Sequence, residues 1–181
     1  MKSRVTDPRH LEVEAFAQES VRLEGRWPQD ELVRLKQSTL PESRADVTWV
    51  AQGESREARG GAAENWLHLA AETTVILQCQ RCLSAMTAAL AIESSFQFVA
   101  GEDAAAALDA DSEHDVLALT RELDLLTLVE DELLLALPIV PRHEHCPQPL
   151  AVPVSEEEVA AEKEAHPFAA LAALKRGQLP N

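Results

Sequence analysis

The chain has 181 residues, enough for one domain with extensions, and its contents of hydrophobic residues (46%) and charged residues (26%) are ordinary for a soluble globular protein. Its charge balance is unusual, because 16 Lys and Arg residues face 31 Asp and Glu residues, for a net charge of -15. Proteins bind nucleic acids largely through Lys and Arg, which release counterions from the phosphates. A general nucleic-acid-binding surface is therefore not expected, and a basic partner is the natural complement of this chain.

Three further features concern the compartment. No apolar run approaches the roughly 18 residues that a membrane span needs. The first residues, Met1 to Asp7, lack the apolar core of a signal peptide. Three cysteines are an odd number, which argues against a framework of disulfides. The sequence predicts a soluble, cytoplasmic protein with no membrane partner.

The N-terminal region predicts mixed structure. Residues 11–26 alternate loosely between apolar and polar, and Pro28 suits the first turn of a helix whose apolar stripe would include Leu32 and Leu35. Residues 46–51 are rich in β-formers and predict a strand.

The clearest pattern is a pair of runs with a period of two residues. Apolar or small residues occupy every second position from Leu67 to Leu77, and the same period recurs from Leu90 to Phe98. This period is typical of strands with one buried face. The two runs flank the segment Cys79-Gln80-Arg81-Cys82, and they predict a long antiparallel hairpin with the two cysteines at its tip.

An acidic segment follows the hairpin. Residues 101–137 contain one basic and 11 acidic residues, a net of -10, so they carry two-thirds of the excess charge. Residues 101–115 are rich in Ala and acid without apolar periodicity, and they predict a mobile acidic loop. Such a loop is either a solubilising segment or a docking surface for a basic partner. The candidate partner-binding residues are Asp109, Asp111, Glu113, Asp115, Glu130 and Asp131.

The last third of the chain predicts helices. Residues 123–137 form an amphipathic pattern in which Glu130 and Asp131 lie mostly off the apolar face, and Pro138 ends it. A Glu-rich linker then precedes a short amphipathic helix that begins near Pro167. We therefore predict an α+β fold, with an antiparallel sheet packed by a few helices in residues 1–150, and a linker with a terminal helix in residues 151–181.

The cysteines carry the sharpest chemical signal. A C-x-x-C on a tight turn suits either zinc or dithiol redox chemistry, but a redox motif normally opens a helix in a βαβ unit, and here both flanks predict strands. His143 and Cys146 repeat the same spacing after the helix that Pro138 ends. The predicted ligands of a structural zinc are Cys79, Cys82, His143 and Cys146. The alternative is three reduced cysteines without a metal.

Catalytic motifs are missing from the sequence. It contains no G-x-S-x-G, no phosphate-binding Gly-rich loop and no H-E-x-x-H. The consecutive carboxylates of residues 130–132 point in different directions on a helix, which does not favour a paired acid and base. We expect a protein that is not an enzyme.

Three segments resemble a known family. Residues 75–83 (VILQCQRCL), residues 123–141 with the following His/Cys segment 143–146, and residues 167–175 (PFAALAALK) are similar to the YceD family, the large ribosomal RNA subunit accumulation proteins. The resemblance implies a role in synthesis, processing or stability of 23S ribosomal RNA during large-subunit assembly. The chain departs from members that carry a second C-x-x-C cluster, because it has only His143, His145 and Cys146 there.

Three hypotheses about mechanism follow. The first is action through a basic client, either a ribosomal protein or an assembly factor, with indirect contact to RNA. The second is direct binding of precursor RNA by the N-terminal region, which holds ten of the 16 basic residues. Its candidate residues are Arg22, Arg26, Arg34 and Lys36. The third is a thiol redox sensor that uses Cys79 and Cys82.

Overall fold

The fold is given by a computed structural model, which describes residues 7–57 and 63–147. The predicted linker and helix of residues 151–181 lie outside the described residues. In chain order the elements are α1 (Val13–Gln18), β1 (Arg22–Pro28), a 3₁₀ turn (Gln29–Glu31), α2 (Val33–Gln37), β2 (Asp46–Arg56), β3 (Glu64–Gln78), β4 (Ala85–Val99), α3 (Glu102–Asp109), β5 (Asp115–Ala118) and α4 (Leu125–Leu135). Among the described residues, every helix is too short or too polar to cross a membrane.

The strands form one sheet in the order β1-β2-β3-β4-β5. The first four are an antiparallel meander, and the short β5 pairs in parallel with the end of β4. The β3–β4 hairpin is the longest ladder, paired from Asn65 with Phe98 to Gln78 with Ala85. The predicted α+β fold with a long hairpin is confirmed, and β5 makes the sheet mixed.

The core lies between the helices and one face of the sheet. The predicted two-residue period is buried along β3, from Leu67 to Leu77, and α1 contributes Phe16 to the same cluster. A Cβ at Gly53 of β2 would lie 2.3 Å from the backbone oxygen of Phe16, so only glycine lets α1 pack this closely on the sheet. Burial of each large apolar side chain contributes about 1.5–3 kcal/mol.

The N-terminal prediction is partly wrong. Pro28 is the last residue of β1 and also precedes the short 3₁₀ turn as its N-cap, but the α-helix that contains Leu35 begins only at Val33, and residues 11–26 contain both α1 and most of β1. Cross-strand packing explains the difference, because Trp27 stacks on Trp49 of β2 with ring centroids 4.5 Å apart. Leu32 and Leu35 are buried, as the apolar stripe predicted.

The segment predicted as an acidic loop contains a helix. Helix α3 occupies Glu102–Asp109, and only the connection from there to β5 is irregular. Alanine has the highest helix propensity, and Glu102 and Asp103 in the first turn interact favourably with the helix dipole. These local terms form a helix without an apolar stripe, and Ala105 is its one buried residue.

Helix α4 has the predicted apolar face but a shorter span. The side chain of Asp124 caps its start by accepting hydrogen bonds from the N–H groups of Leu126 (3.0 Å) and Thr127 (3.3 Å). The prediction that Glu130 lies off the buried face is wrong, since this residue is 5% exposed. It packs toward α2, where it finds the partners described below.

Candidate functional site

The tip of the β3–β4 hairpin is a tight loop. The N–H of Cys79 donates to the Ser84 carbonyl (2.9 Å), and the N–H of Leu83 donates to the Cys79 carbonyl (2.9 Å). Leu83 has a φ of 60°, a left-handed conformation that is uncommon for a leucine. This backbone turns Cys82 back toward Cys79.

A second segment lies against this tip. After α4 the chain returns to the hairpin, where the Pro141 carbonyl accepts from the N–H of Gln80 (2.8 Å). Two residues later, the N–H of His143 points at the Cys79 sulfur (3.4 Å). Residues far apart in sequence are thereby held at one end of the sheet.

The four predicted ligands come together there. One donor atom from each of Cys79, Cys82, His143 and Cys146 lies within 4.8 Å of all the others. The Cys79 and Cys146 sulfurs are 3.8 Å apart, and the Cys82 sulfur is 3.4 Å from His143 Nδ1. A tetrahedral zinc with ordinary bond lengths places two sulfurs about 3.8 Å apart and a sulfur and a nitrogen about 3.5 Å apart. These two distances match a tetrahedral metal site, and the other donor pairs lie within 4.8 Å.

The orientation of His143 also suits a metal ligand. Its Nε2 lies 3.2 Å from the Ala85 carbonyl. Because a carbonyl only accepts, Nε2 carries a proton in this hydrogen bond, and Nδ1, which faces the cluster, is the nitrogen that would bind a metal. Bonds of this kind fix the tautomer of metal-ligating histidines in many proteins. Hydrogen bonding to the Cys79 sulfur raises the pKa of His143.

Arg81 joins the two halves of the cluster. Its Nε donates to the Cys146 sulfur (3.0 Å), and one terminal nitrogen donates to the carbonyls of His143 (2.9 Å) and Glu144 (3.2 Å). A divalent ion with three thiolates and a neutral imidazole has a net charge of -1, which the guanidinium offsets. Sequence reasoning missed this residue, although a cation between two ligand cysteines of an acidic chain was a usable signal.

The surroundings shift the pKa values of the three thiols in different directions. Burial acts to raise the pKa of Cys79, but the backbone N–H groups of His143, Cys82 and Arg81 point at its sulfur and lower that pKa to about 5. Hydrogen bonds from Ser84 lower the pKa of Cys82, while burial raises the pKa of Cys146. Thiolates are the metal-binding form of cysteine, so Cys79 is ready to bind at neutral pH.

The candidate acidic residues fall into two groups. Asp111 and Glu113 are exposed between α3 and β5, and Asp115 is exposed at the start of β5. The carboxylate of Asp109 accepts from the N–H of Val116 (2.9 Å) and anchors this connection. We call residues 109–115 the acidic connector.

Glu130 and Asp131 form a separate group that faces α2. The carboxylate of Glu130 accepts from the N–H groups of Arg34 (2.6 Å) and Leu35 (3.1 Å), and it also binds Arg34 Nε (2.8 Å). Asp131 binds the same guanidinium. Glu130 is therefore a buried structural residue and is not available to an external partner, which corrects that part of the prediction.

The candidate RNA-binding cations all lie near carboxylates. Arg34 is held by α4, and Lys36 pairs with Asp30. Arg22 and Arg26 are more loosely paired, at 3.6 Å from Glu24 and 3.9 Å from Asp46. Each of these four cations thus has a carboxylate within 4.0 Å, although Arg22 and Arg26 remain largely exposed.

The fold and the cluster together define an α+β domain in which Cys79 and Cys82 of the hairpin tip meet His143 and Cys146 of the segment after α4. The family model described as "Large ribosomal RNA subunit accumulation protein YceD" matches residues 67–175, a range that covers more than half of the chain and includes all four ligands. The chain belongs to the YceD family.

A curated relative supports this assignment. The "Large ribosomal RNA subunit accumulation protein YceD" of Haemophilus influenzae is 42% identical over 107 residues. The match covers 56% of this chain, and the chain spans 60% of the length of that relative. No solved structure matches the chain.

Proposed function

We propose that the protein is a cytoplasmic ribosome-assembly factor that supports the accumulation of 23S ribosomal RNA. The observation that carries the proposal is the family match over residues 67–175, which includes the hairpin tip, α4 and the metal-ligand cluster. The family and the Haemophilus influenzae relative are both named for accumulation of the large-subunit RNA.

We further propose that the Cys3His cluster holds a structural zinc ion. Soft sulfur ligands with one imidazole in a tetrahedral arrangement are the donor set that zinc prefers. Four protein ligands leave no open coordination position, whereas catalytic zinc keeps one for water or substrate. This ligand count supports a non-enzymatic role, in which the ion ties the segment after α4 to the hairpin tip.

The direct partner in this proposal is a basic protein, either a ribosomal protein or an assembly factor. The net charge of -15 disfavours contact with phosphates, and the exposed carboxylates of the acidic connector attract a cationic surface. The four N-terminal cations that could bind RNA are paired with acids. Contact with the RNA would then pass through the client.

A binding comparison tests this mechanism. Large-subunit ribosomal proteins freed of RNA, and 23S RNA freed of protein, are each titrated against the chain at low salt. We expect binding to the proteins and not to the RNA. Replacing Asp111, Glu113 and Asp115 by Asn, Gln and Asn should weaken binding about tenfold at low salt, because exposed charges each contribute modestly.

The matched control changes the same amount of charge elsewhere. Glu12, Glu19 and Glu42 are also exposed and lie outside the acidic connector, and their triple Gln variant should bind like the wild type. Equal affinity of the two triple variants would contradict a role for the connector. Binding of RNA alone, lost on replacing Arg22 and Arg26 by Gln, would favour the direct RNA hypothesis instead.

A further inference from the structure

Within the described part of the chain, one edge of strand β4 is unpaired over much of its length. The N–H of Cys79 donates to the Ser84 carbonyl at the start of the hairpin, and hydrogen-bonded pairs alternate along an antiparallel ladder. The backbone N–H and C=O groups of even-numbered β4 residues therefore form hydrogen bonds with β3. The same groups of odd-numbered residues point away from β3, toward the free side of the strand. The other end agrees, since the Val99 carbonyl accepts from Leu119, next to β5.

The outward groups in the middle of β4 have no partner in the described structure. Strand β5 pairs only with residues 96–99, and the Ala85 carbonyl meets His143. Between these points the outward-facing residues are Thr87, Ala89, Ala91 and Glu93, all with exposed side chains. Within residues 7–57 and 63–147, their backbone N–H and C=O groups make no hydrogen bond. The gap is long enough for one added strand.

The opposite edge of the sheet is protected in the usual way. The N–H of Gly53 donates to the Val21 carbonyl, so the outward-facing residues of β1 are the even-numbered ones. These residues are Arg22, Glu24, Arg26 and Pro28. Charged side chains and proline block edge pairing, and β4 has only Glu93 of that kind. Among the residues that the structure describes, the β4 edge thus lacks the features that protect the β1 edge.

The charged residues around the β4 edge favour a basic partner strand. Glu93 projects from the outer face, and Glu132 of α4 meets Ser94 on the core face. Asp115 is the first residue of β5, which occupies the same edge of β4 just beyond the unpaired residues. Strand β4 itself contains no Lys or Arg. A second copy of this chain would bring like charges together on an already acidic protein. A cationic strand would instead meet carboxylates on both faces and at one end.

We propose that the β4 edge binds an extended, basic segment of a partner protein by strand addition. Main-chain hydrogen bonds to residues 87–93 would provide affinity, as in other strand-addition complexes. Successive residues of a strand point to opposite faces, so two adjacent Lys or Arg residues would meet Glu93 and Glu132 together. The inference rests on the proposed function, because it places the basic client on a particular surface.

Variants of Ala91 test the mode of binding, with RNA-free large-subunit proteins as the probe. Ala91→Pro removes one outward N–H but no bond to β3, a position where an edge strand tolerates proline. We expect this variant and Ala91→Lys to bind at least tenfold more weakly. Ala91→Glu introduces a side chain of similar size to that of Ala91→Lys but of opposite charge. This variant should bind the probe at least as well as the wild type.

Amide exchange measured by NMR supplies an independent readout. The outward amides of Thr87, Ala89 and Ala91 should exchange rapidly in the free protein and at least tenfold more slowly with the probe bound. The amides of Ala88 and Leu90, which bond to β3, should be slow in both states.

The outcomes separate the two proposals. If the probe binds while the outward amides and the affinities of the Ala91 variants are unchanged, the edge is not the site, although the proposed function stands. If the wild type binds no large-subunit protein, both proposals fail. If Ala91→Pro alters only self-association in sedimentation, the occupant is a second copy of the chain and the inference is wrong.

Discussion

Replacing Cys79 by serine is expected to abolish metal binding and to lower the melting temperature by about 10 °C or more. Structural zinc sites contribute directly to folding, because the ion binds the folded chain and not the unfolded one. Cys79 is the fully buried ligand, and its sulfur also receives the N–H of His143. Elemental analysis and thermal unfolding, with and without a strong chelator, measure both effects.

Arg81→Gln is the matched control, because it changes the surroundings of the site and leaves all four ligands. Loss of an outer contact usually weakens metal affinity by about 10- to 100-fold, so this variant should retain zinc at saturating metal. Chelation should destabilise the wild type and Arg81→Gln but not Cys79→Ser. A wild type without zinc that melts identically with chelator would contradict the structural-zinc proposal, and reversible oxidation of Cys79 and Cys82 in that protein would favour the redox alternative.

Replacing Glu130 by alanine is expected to destabilise the protein by about 3 kcal/mol. The change removes the acceptor for two backbone N–H groups at the start of α2, and it also breaks an ion pair with Arg34. A buried donor left without its acceptor costs about 1–3 kcal/mol, and Glu130 serves two backbone N–H groups, so we take about 3 kcal/mol and add nothing for the exposed Arg34 guanidinium. Urea denaturation measures the change in the free energy of unfolding.

Asp131→Ala supplies the comparison, because Asp131 binds the same guanidinium but its side chain is 47% exposed. Exposed ion pairs contribute under about 1 kcal/mol, so this variant should be nearly as stable as the wild type. Equal losses for the two variants would show that Glu130 acts only as a surface charge.

The hairpin and the metal-ligand cluster could be predicted from the sequence. A two-residue apolar period specifies strands locally, and it places the intervening Cys79 and Cys82 at the tip whatever the rest of the fold does. The pair His143 and Cys146 was identified from ligand type and spacing alone. Its position beside the hairpin depends on the return of the chain after α4, which no local pattern encodes.

The remaining features depend on tertiary contacts or on weak local signals. The burial of Glu130 is set by α2, whose Arg34 lies 96 residues before Glu130 in the sequence. Helix α3 lacks an apolar stripe, so the sequence pattern predicts a loop for its Ala-rich segment. The end of β1 at Pro28 reflects pairing with β2 and the contact of Trp27 with Trp49, and neither is visible in a single segment.

Three features of the proposed function lie along strand β4. The metal-ligand cluster lies at one end of β4, the acidic connector enters the sheet beside the other end at Phe96, and the open edge runs between them. A basic strand on that edge would touch elements that the cluster and the connector hold in place. The metal-ligand cluster, the acidic connector and the β4 edge would then form parts of one binding surface.

The ratio of 23S to 16S ribosomal RNA in cells that lack the protein tests the central claim most directly. We expect the level of 23S RNA to fall relative to 16S RNA and to recover when the wild-type chain is restored, because the proposed factor acts on the large subunit alone. The Cys79→Ser variant should restore the ratio less well than Arg81→Gln. An unchanged ratio in the absence of the protein would contradict the proposed role in large-subunit assembly.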